Sequence, residues 1–559
     1  MRLSTLCTLV FAFACGLTPA QDALTDAKKA LAAEDYAKAL EILEGAYDDL
    51  KGDKVAMGLL AESALKAGRF GRAIEYSAKF ADMDEENPQA HRLGALAFYW
   101  RAEEAKQEPG ATPGKINGLY EESKGFNHHY LTLKAKDVEM WSVYGYTLYW
   151  LEEHEESAAA FGEAATLEPK NADHLNKGAR AYRLAGKFDE AASTIGKLIA
   201  MDPDNGAFRK QKADVLWYKA EATKDAGAYG EAAAAYGRAL LAKNLTSETA
   251  NACTNVLWSI YGNSKEYDAA IGHLKAWAKA HPGDPSPHWW EGWYQRQKGD
   301  EAASLAAYTE SWEASGQKWA TGAVGVGEQH WRMAYPKDAK GQPDFGKPPT
   351  DIDKLYDAVT WFCKAQAVPW NWGTPAQQPI QKCLSIFLAC ATSGNLDAGA
   401  RMLEKECLKV APDNWNVLNN LGLYYRDLGG RMRDKKLCEK SLEYYVRASD
   451  LVVKDGAATN GAKCGVLNDT GVLFHFPQYQ IKDMETGMKY YRRAATLEPE
   501  SRANCIGWKD ANENMGICMN ALGKYEEAIP YLKRVLEQEP NRRVALRQLR
   551  TAENAIKDK

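Results

Sequence analysis

The chain has 559 residues, 45% hydrophobic and 26% charged, with a formal net charge of −5. That length is too great for one compact core, so several domains or an extended array are expected. Lys and Arg are scattered rather than grouped in a basic block, which argues against a nucleic-acid partner, and the 17 Trp and 28 Tyr need a home in a core or a groove.

Residues 1–20 differ from the rest. Arg2 is their only charge, Leu3 to Leu17 is apolar and small, and "LTPA" precedes Gln21. This reads as a secretory signal peptide cleaved after Ala20, which predicts a secreted or periplasmic protein. Lipidation at Cys15, in "FAFAC", is the alternative. No other stretch is long and apolar enough to span a bilayer, so no stable membrane span is expected. Of the 11 Cys, Cys7 and Cys15 would leave with the signal. None of the others sits in a C-x-x-C pair, which disfavours a zinc ribbon or a thioredoxin-type site. Disulfides and small buried hydrophobes remain open for them.

From Gln21 onward the chain repeats itself. "EDYAKALEILEGA" (Glu34 to Ala46) is followed 34 residues later by "GRFGRAIEYSAKF" (Gly68 to Phe80). A first helix opens at "PQAHRLGALAFYW", and Pro109, Gly110, Pro113 and Gly114 then suggest a loop insertion near 108–130. Clean units run from Val138 to Asn205. A stretched unit ends in "GAYGEAAAAYGRAL", and clean units return at 251–284 and 285–315. Residues 316–350, rich in Gly, Pro and Lys, read as an irregular linker or loop. Helical pattern resumes at Asp351, is broken by "VPWNWGTPAQQP" (368–379), and continues to a final helix over Arg542 to Ile556.

The columns of the repeat carry physical meaning. A small Gly (Gly145, Gly516) precedes a second helix with a large residue (Phe161, Leu532). A small or β-branched residue follows (Ala164, Val535), then a helix-stopping Pro (Pro169, Pro540). The next unit continues without a gap, through Ala179, Gly186, Phe188, Ala191, Ile195 and Leu198 to Pro203, 34 residues after Pro169. Pro530 falls inside a predicted helix, where a modest bend is expected.

Period and columns together resemble the tetratricopeptide repeat, a helix–turn–helix unit. The resemblance implies an all-α helix–turn–helix repeat solenoid, a right-handed superhelix of about twelve repeats. It predicts an N-terminal array over 21–315 and a C-terminal array over 351–559 with a capping helix. It also implies a protein- or peptide-binding scaffold or assembly factor outside the cytoplasm, not an enzyme. First helices of such arrays line the concave side. The column two residues before the small Gly then reads Asn420, Asp469 and Asn514, and the column before it Asn419, Asn468 and Glu513, with Asn416 and Arg426 flanking. Amides there could bond an extended peptide's backbone without reading its side chains. Asn176, Lys177 and Arg180 resemble part of a carboxylate clamp, but Ser142 and Tyr146 in the preceding unit do not complete it. Trp289, Trp290 and Trp293 form an aromatic patch on one first helix, either core filling or a sticky pocket. Carbohydrate or cell-envelope polysaccharide binding through exposed Trp and Tyr, including Trp370, is the alternative function.

No catalytic or metal constellation emerges, and no cofactor is expected. "GAVGVG" (Gly322 to Gly327) lacks a preceding strand and a Lys-Ser/Thr. His128 and His129 are adjacent, so in a regular helix they diverge. Asn244 and Asn468 head glycosylation sequons. Self-association of the array is a further expectation.

Overall fold

The computed structural model describes residues 19–369 and 378–557. The signal segment up to residue 18, Cys15 and Trp370 lie outside these. The described residues form mainly α-helices joined by turns and a longer irregular stretch between Met333 and Ile352, with two isolated β-bridges and no strand ladder among them. They divide into two units, residues 1–266 and 267–559.

In the first unit the helices pair in chain order. Pro19–Ala32 packs with Tyr36–Gly45, Lys54–Lys66 with Phe70–Met83, and Pro88–Ala105 with Pro113–Leu133. Val138–Trp150 pairs with His154–Leu167, Ala172–Leu184 with Phe188–Met201, and Gly206–Thr223 with Ala226–Ala239. Ser247–Ser264 closes the unit. The second unit opens with Tyr267–Ala280. Its hairpins join Ser286–Lys298 to Glu301–Ala314, Ala320–Met333 to Ile352–Gln366, and Pro379–Thr392 to Leu396–Met402. Trp415–Met432 then meets Lys435–Lys454, Asn460–His475 meets Met484–Thr496, and Ile506–Ala521 meets Tyr525–Gln538. The last helix, Arg543–Lys557, packs on that final hairpin and buries Ala545 and Ala552. Within each unit every hairpin packs on the next, the arrangement of a helix–turn–helix repeat solenoid.

Local chemistry sets each hairpin's ends. A proline stops one second helix, and an Asn two residues later caps the next first helix. Asn171, after Pro169, accepts the Asp173 amide at 3.1 Å, and Asn205, after Pro203, accepts those of Ala207 and Phe208. The turn inside the hairpin needs a left-handed residue, met by Gly186, Gly299 and Gly523 at φ +74°, +84° and +72°. Glu152 holds the same place at φ +63°.

The joint between the two helices is built the same way in both units. A Cβ on Gly145 would lie 2.9 Å from the Phe161 ring, on Gly292 2.7 Å from Tyr308, on Gly422 2.8 Å from Tyr445, and on Gly516 2.5 Å from Leu532. Only a residue without a side chain lets the large partner lie flat against the first helix. Four residues ahead of the ring, Ser157, Ser304 and Ser441 each donate to the carbonyl of that Gly at 2.7 Å. These cross-helix hydrogen bonds satisfy buried hydroxyls.

Three expectations are corrected. Residues 108–130 are not a loop insertion. Thr112 caps a helix and Pro113 occupies its first turn, where a missing N–H costs nothing. Residues 316–350 are not wholly irregular, because Ala320–Met333 is a largely buried helix. Its glycines serve close packing, since a Cβ on Gly325 would meet Tyr308 at 2.6 Å and one on Gly327 would meet Phe362 at 2.7 Å. "GAVGVG" is therefore helix interior and not a phosphate loop. Third, the division at 266/267 falls inside the 251–284 segment that the repeat columns make one unit, and not at the Gly/Pro-rich stretch. The Tyr525–Gln538 helix runs on through Pro530.

Candidate functional site

In the C-terminal unit, the first helices Trp415–Met432, Asn460–His475 and Ile506–Ala521 bring the predicted polar columns together. Arg426 Nη1 pairs with Asp469 Oδ1 at 3.2 Å. Asn514 Nδ2 donates to Asn468 Oδ1 at 3.1 Å. Glu513 accepts two hydrogen bonds from Arg542, at 3.0 and 2.9 Å. Arg542 also reaches Asp510 at 2.6 Å and Glu539 at 3.3 Å, and Lys509 bonds Glu539. One polar chain thus crosses from each first helix to the next and ends on the segment before the capping helix.

Most of these groups spend their hydrogen bonds on one another. Asn468, Glu513 and Asn514 are buried. Asn420 Nδ2 turns back to Asn416, reaching its carbonyl at 2.7 Å and its side-chain oxygen at 2.9 Å. Asn416, Asn419, Asn420 and Arg426 remain half-buried, and Asn419 Oδ1 has no partner among the described residues. Buried within a helix, Asn468 offers no glycan acceptor in the folded chain, whereas Asn244 is exposed.

Trp289, Trp290 and Trp293 lie half-buried on Ser286–Lys298. Trp289 meets Trp290 edge-on with centroids 5.2 Å apart, and Trp290 meets Trp293 the same way at 6.1 Å. Trp289 also packs on Tyr308, which fills the Gly292 joint, so part of the trio belongs to the hairpin's own packing.

In the N-terminal unit the first helices leave a cleft of about 480 Å³, with Asn176, Lys177, Arg180, Arg183, Gln211 and Tyr218 on its walls. Asp173 and Asp214 also line it, and both are already matched: Asp173 lies 2.5 Å from Lys177 of the cleft, and Asp214 lies 2.7 Å from Lys210 outside it. Burial pulls the Lys177 ammonium down, but hydrogen bonds to Asp173 and Tyr146 more than reverse this and leave its pKa above the ordinary value. Asp214 also accepts from Tyr236 at 2.7 Å. Arg180 and Arg183 differ. Their guanidinium carbons sit 5.4 Å from the Tyr149 ring and 4.7 Å from the Tyr218 ring. Neither has a carboxylate within ion-pair distance among the described residues. A guanidinium attracted to a ring face keeps its N–H donors, which a carboxylate can accept. Sequence reasoning flagged Arg180 but missed Arg183, Gln211 and Tyr218. Arg183 comes one helical turn after Arg180, the spacing that places both on one face.

Two segments match family models, residues 145–206 and residues 510–542, each described as a tetratricopeptide repeat. No curated protein matches. Among solved structures, a thermophilic repeat protein from Thermus thermophilus, TTC0263, is 20% identical; the match covers 35% of this chain and 98% of that one, with a TM-score of 0.24. YrrB, described as a repeat protein with an unusual peptide-binding site, is 15% identical over 38% of this chain and 96% of its own, TM-score 0.28. The Cut9–Hcn1 structure is 13% identical over 96% of both chains, TM-score 0.26. The matched segments lie in different units, and the Gly–ring joint recurs at Gly145 in the first unit and at Gly292, Gly422 and Gly516 in the second. The chain is a tetratricopeptide-repeat protein.

Proposed function

We propose that this protein is a non-catalytic scaffold that holds a protein partner through an extended, acidic peptide segment laid in the cleft of the N-terminal unit. The observation that carries this reading is the pair of arginines lying over tyrosine rings, Arg180 and Arg183, with no carboxylate of the described residues within ion-pair distance of them. Asn176 and Gln211 supply amide donors and acceptors beside them for a peptide backbone. In the C-terminal unit the predicted amide ladder works first as the joint between successive hairpins, and its half-buried end, Asn416, Asn419 and Asn420, keeps polar groups for a contact of its own. Its work lies outside the cytoplasm, in keeping with the signal-like residues 1–20. Cleavage after Ala20 would start the mature chain two residues into the Pro19–Ala32 helix. Among the described residues no helix is long and apolar enough to cross a membrane.

The test is fluorescence anisotropy of labelled extended peptides, Asp/Glu-rich against Lys-rich of equal length, with the full chain. Binding of the acidic peptide that Arg180→Ala with Arg183→Ala removes supports the reading, and equal binding by the variant refutes it. A second reading, carbohydrate stacking on the half-buried Trp289, Trp290 and Trp293, predicts glycan-array signal that Trp290→Ala abolishes.

A further inference from the structure

Cysteine spacing in the sequence flags no metal site, yet the fold brings three sulfurs together. Cys363 comes from the Ile352–Gln366 helix, Cys383 from Pro379–Thr392, and Cys407 from the π-helical turn Leu403–Cys407. The Cys363 and Cys407 sulfurs are 3.7 Å apart, and all three lie within 4.8 Å of one another. Among the described residues this is the one convergence of three metal-ligating side chains. All nine described cysteines are buried, but Cys253, Cys390, Cys438, Cys464, Cys505 and Cys518 join no such triad.

We propose that Cys363, Cys383 and Cys407 form a three-thiolate site for a soft divalent d10 cation of the zinc and cadmium class. Three sulfurs bound about 2.3 Å from one ion stand about 3.8–4.0 Å apart, so the 3.7 Å pair is already in place. The third sulfur needs to close by less than about 1 Å from the outer limit of the cluster. The backbone is also shaped for this arrangement. A π turn adds one residue to a helical turn and re-aims the side chains beyond it, and such turns collect at functional sites. Here it ends on Cys407.

The surroundings select the ion. The three cysteines belong to the same buried apolar cluster as Leu355, Val359, Phe362 and Leu403, with Cys383 and Cys407 fully buried and the charges of Glu406 and Lys409 nearby. Such apolar walls favour soft thiolate ligation and penalise net charge. On binding, three S–H bonds give up their protons to solvent as three sulfur–metal bonds form. A divalent ion then leaves one negative charge in the core, whereas a monovalent one leaves two. A disulfide is the competing fate of these thiols, and it would use two sulfurs and strand the third.

The test uses the reduced, chelator-treated full chain, equilibrated with Cd2+ near the onset of thermal unfolding so that the buried sulfurs are reached, then cooled and desalted. The site predicts one cadmium per chain, an ultraviolet thiolate-to-cadmium band and a raised Tm. Cys383→Ala and, separately, Cys363→Ala should weaken binding at least about 100-fold. Cys438→Ala, on the Lys435–Lys454 helix, should bind like the parent. Circular dichroism identifies any variant that has lost its helices, and the parent's own stoichiometry and band stand apart from the variants. No retained cadmium in the parent, equal retention in the folded triad variants, or a Cys363–Cys407 disulfide in chain purified without reductant would overturn the proposal.

Discussion

Arg542 offers the sharpest perturbation of the C-terminal unit. It stands just before the capping helix and faces Asp510, Glu513 and Glu539. Their side-chain exposures of 33%, 10% and 41% decide what its loss costs. Asp510 and Glu539 can take up water, and exposed pairs of this kind contribute about 0–1 kcal/mol each. Glu539 also keeps Lys509. Glu513 cannot rehydrate so easily. Stripping one partner from a fully buried pair costs about 3–5 kcal/mol, and the remaining exposure here brings that toward about 2–3 kcal/mol. Arg542→Ala is therefore expected to destabilise the C-terminal end by about 2–4 kcal/mol. In a stacked array such a loss is local and appears as fraying from the end. Amide hydrogen exchange should thus quicken across Ile506–Ala521, Tyr525–Gln538 and Arg543–Lys557, with Lys54–Lys66 unaffected. Adding Glu513→Gln should restore part of the protection, because it removes the stranded charge. A change below about 0.5 kcal/mol, the range of ordinary surface substitutions, or no rescue by Glu513→Gln, would show that Glu513 does not depend on Arg542.

The same contacts give further expectations. Gly145→Ala gains about 1 kcal/mol of helix propensity but drives a Cβ into the Phe161 ring, where overpacking costs about 1–3 kcal/mol; a net loss is expected by urea unfolding. Glu152→Gly should stabilise its hairpin by up to about 1 kcal/mol, since relief of a left-handed residue, about 1–2 kcal/mol, exceeds glycine's entropy cost of about 0.5–1 kcal/mol. Burial holds His330 and His475 below the ordinary imidazole pKa of 6.5, the nearby Asp357 only partly offsetting this at His330. The unfolded chain then binds more protons than the folded one, so stability is full above pH 6.5 and falls as pH drops through the depressed folded values. His330→Gln with His475→Gln should flatten the fall in Tm on acidification, and an unchanged slope would exclude these two residues as its source.

The hairpin itself was legible because its columns are local. A Gly, a large residue on the next helix and a Pro recur at fixed spacing, and each has one packing role. Gly145 against Phe161 and Gly516 against Leu532 are what those columns predict. The misreadings share a cause, which is that glycine and proline have more than one use. Pro113 begins a helix and Gly325 and Gly327 admit rings between helices, although in sequence both stretches look like loops. The serine donors to Gly145, Gly292 and Gly422 left no signal, because a serine on a helix reads as surface until its acceptor is known.

The polar columns show what sequence can and cannot reach. It placed Asn468, Asn514, Glu513, Arg426 and Asp469 on successive first helices, but their bonds to one another and to Arg542 depend on how closely those helices pack. The Cys363, Cys383 and Cys407 cluster joins three helices across 44 residues, so no spacing motif could reveal it. The arginine cleft needed the rings of Tyr149 and Tyr218, each supplied by a neighbouring hairpin.

The proposed occupant of the N-terminal cleft is an acidic extended peptide held through Arg180 and Arg183. Its most direct measurement is the Kd of one Asp/Glu-rich peptide for the full chain against Arg180→Ala with Arg183→Ala, across a salt series. Charge-assisted bonds of this kind contribute about 1.5–3 kcal/mol each, so the variant should lose at least about 10-fold in affinity, and the salt dependence should shrink with it. Parent and variant binding with the same Kd and the same salt slope would contradict the account.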